Sequence, residues 1–191
     1  RKLMPLVHLP VQSGSNKILK LMNRKHTVQK YLEVFYKLKK INSKIQFSSD
    51  FIIGYPGESD SDFNETLKLI KEVNFINSFS FIFSPRPGTV AAKLPIVDKK
   101  KALERLEIVQ EKLFNNQIEL NKSLENTIQK VLVENRSKDK TQLFGRSEYM
   151  TSVLFDGSDD LIGKIVDIKI FSSNRNSLFG EVVEQSKQKV A

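Results

Sequence analysis

The sequence predicts an α/β fold over roughly its first two thirds, followed by a small all-β barrel. Up to about residue 126, short apolar runs alternate three times with amphipathic helical patterns, as in the strands and helices of a parallel sheet. After residue 127 the helical patterns stop, and short strands punctuated by glycines follow, a spacing typical of a compact antiparallel barrel. The chain is therefore divided into residues 1–126 and residues 127–191.

Three apolar runs are the predicted strands of the first domain: residues 3–9, 45–53 and 79–83. The first of them is expected to be buried. Each run leads into a loop of glycine, proline or small polar residues. In parallel α/β folds, ligands bind at these carboxyl ends of the strands.

Helices are predicted to follow Ser15, Thr27 and Ser59, whose side chains are suited to helix capping. Asp62, three residues after Ser59, forms a weak version of the capping box. A fourth and longer helix is predicted over residues 99–126. Apolar residues at helical spacing define the faces expected to be buried. They are Tyr31, Leu32, Phe35, Leu38 and Ile41 in the second helix, Phe63, Leu67, Ile70 and Val73 in the third, and Leu103, Leu106, Val109, Leu113, Leu120 and Leu124 in the fourth.

The second domain is predicted to contain strands at residues 128–134, 149–155, 165–170 and 178–183. Gly145, Gly157, Gly163 and Gly180 separate or interrupt these apolar stretches. Residues 185–191 are expected to form a frayed polar tail.

Composition narrows the function classes. The chain has 191 residues, 39% of them hydrophobic and 28% charged, which is ordinary for a globular protein. The net charge of +9 favours a polyanionic partner no more strongly than it favours simple solubility. The absence of cysteine excludes disulfides, thiolate nucleophiles and cysteine-bound metal centres within these residues.

No apolar run approaches the roughly 20 residues needed to cross a bilayer, and no amino-terminal signal pattern is present. A cytoplasmic location is therefore expected. The first residue is Arg1 rather than methionine, and the sequence that follows already reads as a strand. We expect the chain to begin inside a larger protein.

The loop after the first strand, His8 to Ser15, reads HLPVQSGS. Its small polar residues could present hydroxyl groups and backbone N–H groups to a ligand beside a helix amino terminus. From the residues alone, an ordinary turn is the favoured explanation. His8 lies inside the apolar run, so a core histidine is favoured over a catalytic one.

The next two strand exits are more distinctive. Residues 50–58 read DFIIGYPGE, where two glycines flank a proline and allow the backbone to approach a ligand closely. Glu58 either contributes to that site or merely complements the dipole of the following helix. Residues 84–89 read SPRPGT, and the two prolines hold Arg86 at the strand exit. A guanidinium placed in this way suits a carboxylate or phosphate, although a solvated arginine in a turn is the alternative.

These three loops, in this order and at these strand ends, resemble the methylthiotransferase branch of the radical-SAM superfamily, and its MiaB-type tRNA-modifying members in particular. HLPVQSGS, DFIIGYPGE and FSFIFSPRPGT are similar to the fourth, fifth and sixth strand ends of that barrel. GRSEYMTSVLFDG (residues 145–157) and LIGKIVDIKI (residues 161–170) resemble its terminal TRAM domain, a small OB-like barrel. The resemblance covers nearly the whole chain. It implies the carboxy-terminal part of a radical-SAM (βα) barrel followed by an RNA-binding β-barrel.

The resemblance also implies the chemistry. Full-length members use S-adenosylmethionine (SAM) and two 4Fe-4S clusters held by cysteines, one set of which is spaced CxxxCxxC. They install a methylthio group on isopentenyl-adenosine beside the tRNA anticodon. The expected partners are therefore the tRNA anticodon stem-loop and donors of sulfur and electrons, with no membrane involved. The cluster cysteines are absent here, so this fragment is expected to be inactive alone and to behave as a monomer.

By similarity, SAM is expected to contact residues of all three loops: Gln12, Ser13, Ser15, Gly54, Pro56, Gly57, Glu58 and Arg86. No catalytic residue and no metal ligand is assigned in the fragment. RNA is expected to contact basic and aromatic residues of the barrel: Lys130, Arg136, Lys138, Lys140, Arg146, Tyr149, Lys164 and Lys169, with Arg175 in the same basic pool and Phe171 as a second stacking ring. A solvated basic face over core aromatics is the alternative for any one of them.

Two other functions stay open at this point. One is a non-catalytic RNA-binding module. The other is a sibling methylthiotransferase that acts on threonylcarbamoyl-adenosine in tRNA or on a ribosomal protein. An unrelated nucleotide-binding α/β protein would need a glycine-rich phosphate loop such as GxGxxG, which the sequence lacks.

Overall fold

The computed structural model describes residues 4–183, which fall into two compact units that divide between residues 116 and 117. The predicted polar tail at residues 185–191 lies outside the described residues. In the described range no helix is both long enough and apolar enough to pass through a membrane.

The first unit is built from short parallel strands and their helices. β1 (Leu6–His8) pairs with β2 (Gln46–Ser48), and β3 (Asp50–Ile53) pairs with β4 (Phe79–Ile82), both in parallel. A single parallel bridge from Gln12 to Phe51 extends this order. The predicted parallel α/β arrangement is confirmed.

The strands are shorter than the apolar runs suggested. The run at residues 45–53 splits into β2 and β3 at Ser49, whose backbone N–H donates to the Ser78 hydroxyl rather than to a strand partner. Ser49 Oγ in turn accepts the N–H of Val11. The first run contains only the three-residue β1, which is partly buried, so the prediction of a buried strand over residues 3–9 was wrong in extent.

The predicted helix starts are confirmed. α1 (Asn16–Leu21) is capped by Ser15, α2 (Val28–Ile41) by Thr27, and α3 (Asp60–Val73) by a complete capping box of Ser59 and Asp62. α3 ends at Asn74 in the left-handed conformation, with φ of 55°. α4 spans Lys99–Ser123.

Aromatic and branched side chains from the strands and helices form one core in the first unit. Phe47, Phe51 and Phe75 are completely buried in it. Two predicted helix faces need correction, because Ile41 at the end of α2 and Leu103 in α4 are exposed. The buried face of α4 in this unit consists of Ala102, Arg105, Val109 and Leu113.

The second unit contains a closed five-stranded barrel with strand order β5-β6-β7-β9-β8. Its strands are β5 (Ile128–Arg136), β6 (Leu143–Ser147), β7 (Ser152–Phe155), β8 (Ile165–Ser173) and β9 (Ser177–Val182). All neighbours are antiparallel except β7 and β9, which run parallel. The predicted small all-β barrel is confirmed.

The strand β6 was missed because Gly145 interrupts its apolar pattern and reads as a turn. A side chain could not occupy that position, since a Cβ on Gly145 would lie 2.5 Å from the carbonyl oxygen of Leu132 on the neighbouring strand. The glycine therefore permits close strand approach inside the sheet.

Candidate cofactor site and nucleic-acid interface

The loop between β1 and α1 is anchored to β3 through the backbone of Gln12. Gln12 adopts a left-handed φ of 74°, its N–H donates to the Asp50 carbonyl at 3.0 Å, and its own carbonyl accepts the N–H of Ile52 at 3.0 Å. The first two predicted cofactor loops are thereby held side by side at the carboxyl ends of neighbouring strands.

Ser13 and Ser15 are buried, and the protein itself uses their hydroxyl groups. Ser13 Oγ accepts the N–H of Ser15 at 3.1 Å, and Ser15 Oγ donates to the Asp62 carboxylate at 2.7 Å. Between them, the Gly14 N–H donates to Thr66 Oγ1 at 3.0 Å. In this arrangement the two serines fasten the loop to α3, so a ligand would meet the loop backbone rather than free hydroxyl groups.

Asp62 is the centre of this polar network. Its carboxylate accepts hydrogen bonds from Lys17 Nζ at 2.8 Å, from the Ser59 N–H at 2.9 Å and from the hydroxyls of Ser59 and Ser15. Burial alone would raise the pKa of Asp62, but these hydrogen bonds outweigh it and hold the pKa well below its ordinary value. Lys17 also donates to the Gly57 carbonyl at 2.8 Å, so it connects α1 to both neighbouring segments.

We expect Asp62→Asn to lower the free energy of unfolding by about 1–2 kcal/mol at neutral pH, the range for loss of an amino-terminal cap. Because the folded-state pKa is depressed, the contribution of the carboxylate is present above about pH 4 and is lost as the pH falls through the folded-state value. Urea unfolding should therefore show a difference in the free energy of unfolding between Asp62→Asn and the parent chain that is smaller at pH 3 than at pH 7. Glu65→Gln, which changes an exposed carboxylate on the same helix, is the control. A difference in the free energy of unfolding that stayed the same at both pH values would contradict the stabilising role of the Asp62 carboxylate.

The loop of residues 54–58 turns sharply at its two glycines. Gly54 has φ of 70° and Gly57 has φ of 83°, a region that favours glycine. Gly54 also packs closely on α4, since a Cβ there would lie 2.9 Å from the Cβ of Ala102. Pro56 is buried, whereas Gly57 is exposed and presents backbone to solvent.

Glu58 does not point outward towards a ligand. Its side chain is 1% exposed and forms an ion pair with Arg105 of α4, with Oε2 2.8 Å from Nη1. The same Oε2 accepts the Gly54 N–H at 2.9 Å. Burial raises the pKa of Glu58, opposed by the Gly54 N–H and the Arg105 charge. Its geometry fits an internal support of the loop better than either a cofactor ligand or a simple complement to the helix dipole.

Arg105 was not among the functional residues predicted from the sequence. It stands among the buried residues Ala102 and Val109 of α4, its side chain is 4% exposed, and its guanidinium lies 5.2 Å from the centre of the Phe63 ring. The available signal was a basic residue placed at helical spacing within an otherwise apolar stripe. A buried charge requires a partner, and such a position points to a carboxylate elsewhere in the fold.

A cavity of about 430 Å³ lies at the carboxyl ends of β3 and β4. Its wall combines Tyr55 and Phe83, whose rings make an edge contact at 4.9 Å, with the guanidinium groups of Arg24 and Arg86. Neither arginine forms an ion pair with another residue in the range 4–183. The remaining lining residues are Leu21, Met22, Asn23, Ile52, Thr89, Val90 and Ala91. The volume and the mixture of apolar, aromatic and cationic groups fit a nucleoside-like ligand that carries a carboxylate.

His8 is not a core histidine, contrary to the expectation. Its side chain is half exposed, with Nδ1 2.8 Å from Ser48 Oγ and Nε2 3.6 Å from the Asp50 carboxylate. The short β1 leaves this face of the strand without a covering element in the described residues, which explains the exposure.

In the second unit, strand register brings part of the predicted basic set onto one outer face of the barrel. Lys130 on β5 and Lys169 on β8 point outward from adjacent strands, and Arg146 on β6 is directly opposite Leu132 of β5. Lys130 is paired with Asp167 at 3.0 Å, and Arg146 lies 5.1 Å from the Phe144 ring centre. Exposed apolar residues lie beside them on the same two strands: Ile128, Leu132, Ile165 and Phe171. We call these residues, together with the three basic ones, the β5–β8 face.

Other members of the predicted set lie elsewhere or are committed to contacts. Arg136 pairs with Asp159 at 2.7 Å, and Lys164 lies 3.6 Å from Asp160. Lys138 and Lys140 occupy the turn between β5 and β6. Tyr149 is only 8% exposed, so the structure argues against its ring as a stacking surface, because no face is available to a base. Phe171 is 59% exposed and does offer such a face.

Comparison with known proteins agrees with this geometry. Residues 2–70 match the Radical SAM superfamily, and residues 122–183 match the TRAM domain. The chain is 70% identical over 190 residues to a tRNA-2-methylthio-N(6)-dimethylallyladenosine synthase of Pelagibacter ubique (strain HTCC1062), an alignment that covers 100% of this chain and 43% of the relative.

Proteins of the same name show the same pattern in other organisms. Identity is 48% for Histophilus somni (strain 129Pt), with 95% of this chain and 39% of the relative covered. Identity is 47% for Wolbachia pipientis subsp. Culex pipiens (strain wPip), with 94% of this chain and 41% of the relative covered. The chain thus spans about two fifths of the length of these relatives. The resemblance inferred from the loops is confirmed: the chain carries a Radical SAM match and a TRAM match, and nearly all of it aligns with part of MiaB-type methylthiotransferases.

Proposed function

We propose that this chain is part of a tRNA-2-methylthio-N6-dimethylallyladenosine synthase, in which its first unit contributes to SAM binding and its second unit to tRNA binding. Two observations carry the proposal: Tyr55 and Arg86, from the second and third loops, line one cavity at the strand ends, and Gln12 of the first loop is bonded to β3 beside them. The names of the relatives favour dimethylallyl-adenosine over the sibling substrates.

SAM, when bound in such enzymes, supplies a methyl group and the radical that activates a C–H bond. Within this chain, the rings of Tyr55 and Phe83 are suited to an adenosine, and Arg24 or Arg86 is suited to a carboxylate. The other predicted cofactor residues do not line this cavity and stay predicted contacts: Gln12, Ser13, Ser15, Gly54, Pro56 and Gly57. Glu58 supports the loop from behind.

The iron–sulfur clusters require another source of ligands. The 191 residues contain no cysteine, so they supply no thiolate to a cluster. We propose that the chain alone does not catalyse methylthiolation, and that the two 4Fe-4S clusters of the active protein are held by residues outside it. Sulfur and electron donors would act on that larger protein, which we expect to work in the cytoplasm as a monomer.

A chimera tests this proposal directly. The part of the Pelagibacter ubique relative that aligns with this chain, 43% of that protein, is replaced by the 191 residues, and methylthio-adenosine in tRNA is measured by mass spectrometry. We expect product from the chimera and at least a tenfold loss on Arg86→Ala, with Lys112→Ala as a matched exposed control. A chimera that remains inactive beside an active parent would contradict the proposal. Product on a threonylcarbamoyl-adenosine tRNA instead would identify the sibling activity.

The β5–β8 face is the proposed RNA interface. The exposed Lys130 and Lys169 and the partly buried Arg146, which also donates to the Met150 carbonyl at 3.1 Å, provide contacts to phosphates. Phe171 with neighbouring aliphatic side chains provides a surface for unstacked bases. The ion pair of Lys130 with Asp167 is exposed, so a phosphate can compete with it at little energetic cost. Arg136, Lys138, Lys140 and Lys164 stay predicted contacts on the neighbouring turns.

We expect the triple variant Lys130→Ala, Arg146→Ala, Lys169→Ala to bind an anticodon stem-loop RNA more weakly, with a salt dependence reduced by about one unit of log–log slope for each phosphate that the variant no longer binds. Fluorescence anisotropy over a potassium chloride series measures both quantities. Lys112→Ala again serves as the control, because it removes a positive charge outside the face. Unchanged affinity and slope in the triple variant would exclude the face, and equal RNA binding at low and high salt would exclude phosphate-driven recognition altogether.

A further inference from the structure

We infer that Arg105 is a positioning residue for the loop of residues 54–58, which it holds in its binding conformation through the carboxylate of Glu58. The inference rests on the proposed cofactor site and adds to it a residue from α4, outside the three loops that resemble the family. It concerns how the cavity wall is kept in place rather than which atoms touch a ligand.

The guanidinium of Arg105 bonds to both sides of the junction between the loop and α3. Nη1 donates to the Glu58 carboxylate at 2.8 Å and to the Glu58 carbonyl at 3.2 Å, and Nη2 donates to the Asp60 carboxylate at 2.6 Å. One planar group thus fixes the last residue of the loop and the first residue of α3. The three acceptors require the fork geometry of a guanidinium, which an ammonium group does not reproduce.

Glu58 also bonds to the first residue of the loop, Gly54, and so links the two ends of the loop. The oxygen atom that bonds to Arg105, Oε2, also accepts the Gly54 N–H at 2.9 Å, so the carboxylate closes residues 54–58 into a ring. The opposite side of Gly54 is blocked by Ala102, one turn before Arg105 on α4. Glu58 and Arg105 are both buried, and therefore neither reaches a ligand in the cavity.

The loop itself forms part of the cavity wall. Tyr55 lines the cavity together with Arg86, and its hydroxyl group donates to the Leu21 carbonyl at 3.0 Å. Without the hydrogen bonds of Arg105, Gly54 and Glu58 would be free to move and would displace Tyr55 along with them. The expected effect is weaker ligand binding without removal of any residue that touches the ligand.

The test compares Arg105→Lys with Lys101→Met in the 191-residue chain. Lys101 is an exposed residue of α4 that pairs with Asp60 at 2.8 Å but makes no contact with Glu58, so it is the matched control. Amide hydrogen exchange of the chain, followed by NMR, reports on the Gly54 N–H, with Phe51 as a core reference, and a titration of the corresponding chimeras with SAM reports on the cavity.

In Arg105→Lys we expect Gly54 exchange to rise at least tenfold and SAM affinity to fall about tenfold, with Phe51 exchange unchanged. Lys101→Met should change both quantities less than twofold. Unaltered Gly54 exchange in Arg105→Lys, or a parallel rise at Gly54 and Phe51, would overturn the inference, the latter because it indicates general destabilisation. If Gly54 responds in the chain but the parent chimera binds no SAM, the positioning role stands and the cofactor assignment fails.

Discussion

Replacement of Arg105 by methionine is expected to lower the free energy of unfolding by about 3–5 kcal/mol at pH 7, the range for a buried ion pair that loses one partner. The Glu58 side chain is 1% exposed, so water cannot replace the guanidinium. The buried carboxyl group can avoid an unpaired charge by binding a proton. That route costs about 1.4 kcal/mol for each pH unit above its pKa in the unfolded chain.

The destabilisation should depend on pH in a defined direction. Burial already raises the pKa of Glu58, and the Arg105 charge opposes that rise, so its removal raises the pKa further. A carboxyl group whose folded-state pKa is raised stabilises the fold at low pH and progressively less as the pH rises through that value. Arg105→Met should therefore resemble the parent chain more closely at pH 4.5 than at pH 7.

Urea unfolding at the two pH values measures this difference. The double variant Arg105→Met, Glu58→Gln provides the control, because it removes both charges, keeps an oxygen acceptor for the Gly54 N–H, and should recover most of the stability. A single variant equally unstable at both pH values, or a double variant no better than the single, would show that the packing of Arg105 on Phe63 matters more than its charge.

Gly14→Ala is expected to lower the free energy of unfolding by about 3 kcal/mol or more, at the upper end of the range for overpacking. A Cβ on Gly14 would lie 2.5 Å from both the carbonyl oxygen of Glu65 and the Cα of Thr66. Both are backbone atoms of α3, which cannot move aside as a flexible side chain can. The loop would have to leave the helix, and the hydrogen bond from Gly14 to Thr66 would break.

Gly57→Ala is the matched control. Gly57 has a positive φ of 83° but no backbone atom close to its missing Cβ, where the nearest atom is a Leu21 methyl carbon at 3.6 Å. Only the backbone strain of about 1–2 kcal/mol should appear there. Thermal unfolding of the two variants ranks the effects, and a destabilisation in Gly14→Ala no larger than in Gly57→Ala would contradict the steric argument.

In the first unit, the order of strands and helices could be read from the sequence because each predicted strand is a short apolar run followed by a loop of glycine, proline or small polar residues. Helix starts were equally accessible, since Ser15, Thr27 and Ser59 act as caps through local bonds to residues a few positions away. Local chemistry carries such information within a single segment. The order of the cofactor loops follows from the same pattern.

Features that depend on distant residues could not be read in this way. Arg105, the partner of Glu58, is 47 residues away on α4. The serine hydroxyls of the first loop form hydrogen bonds with residues of α3, which the sequence shows only as a separate helix. Gly145 resembles a turn until the neighbouring strand is in place. Similarly, the basic residues of the barrel could be listed but not assigned to a face before the register of β5 and β8 was known.

The two units differ in whether their sheets have strand edges with unpaired backbone groups. The barrel closes on itself, whereas β4 pairs only with β3 among residues 4–183 and has one edge without a strand neighbour. On β4, the rings of Phe79 and Phe81 stack at 6.4 Å and are more than half exposed. An open edge with uncovered aromatic rings is a template for strand addition and aggregation. In concentrated solution, self-association of the isolated chain should begin at β4. Phe81→Lys should suppress that self-association.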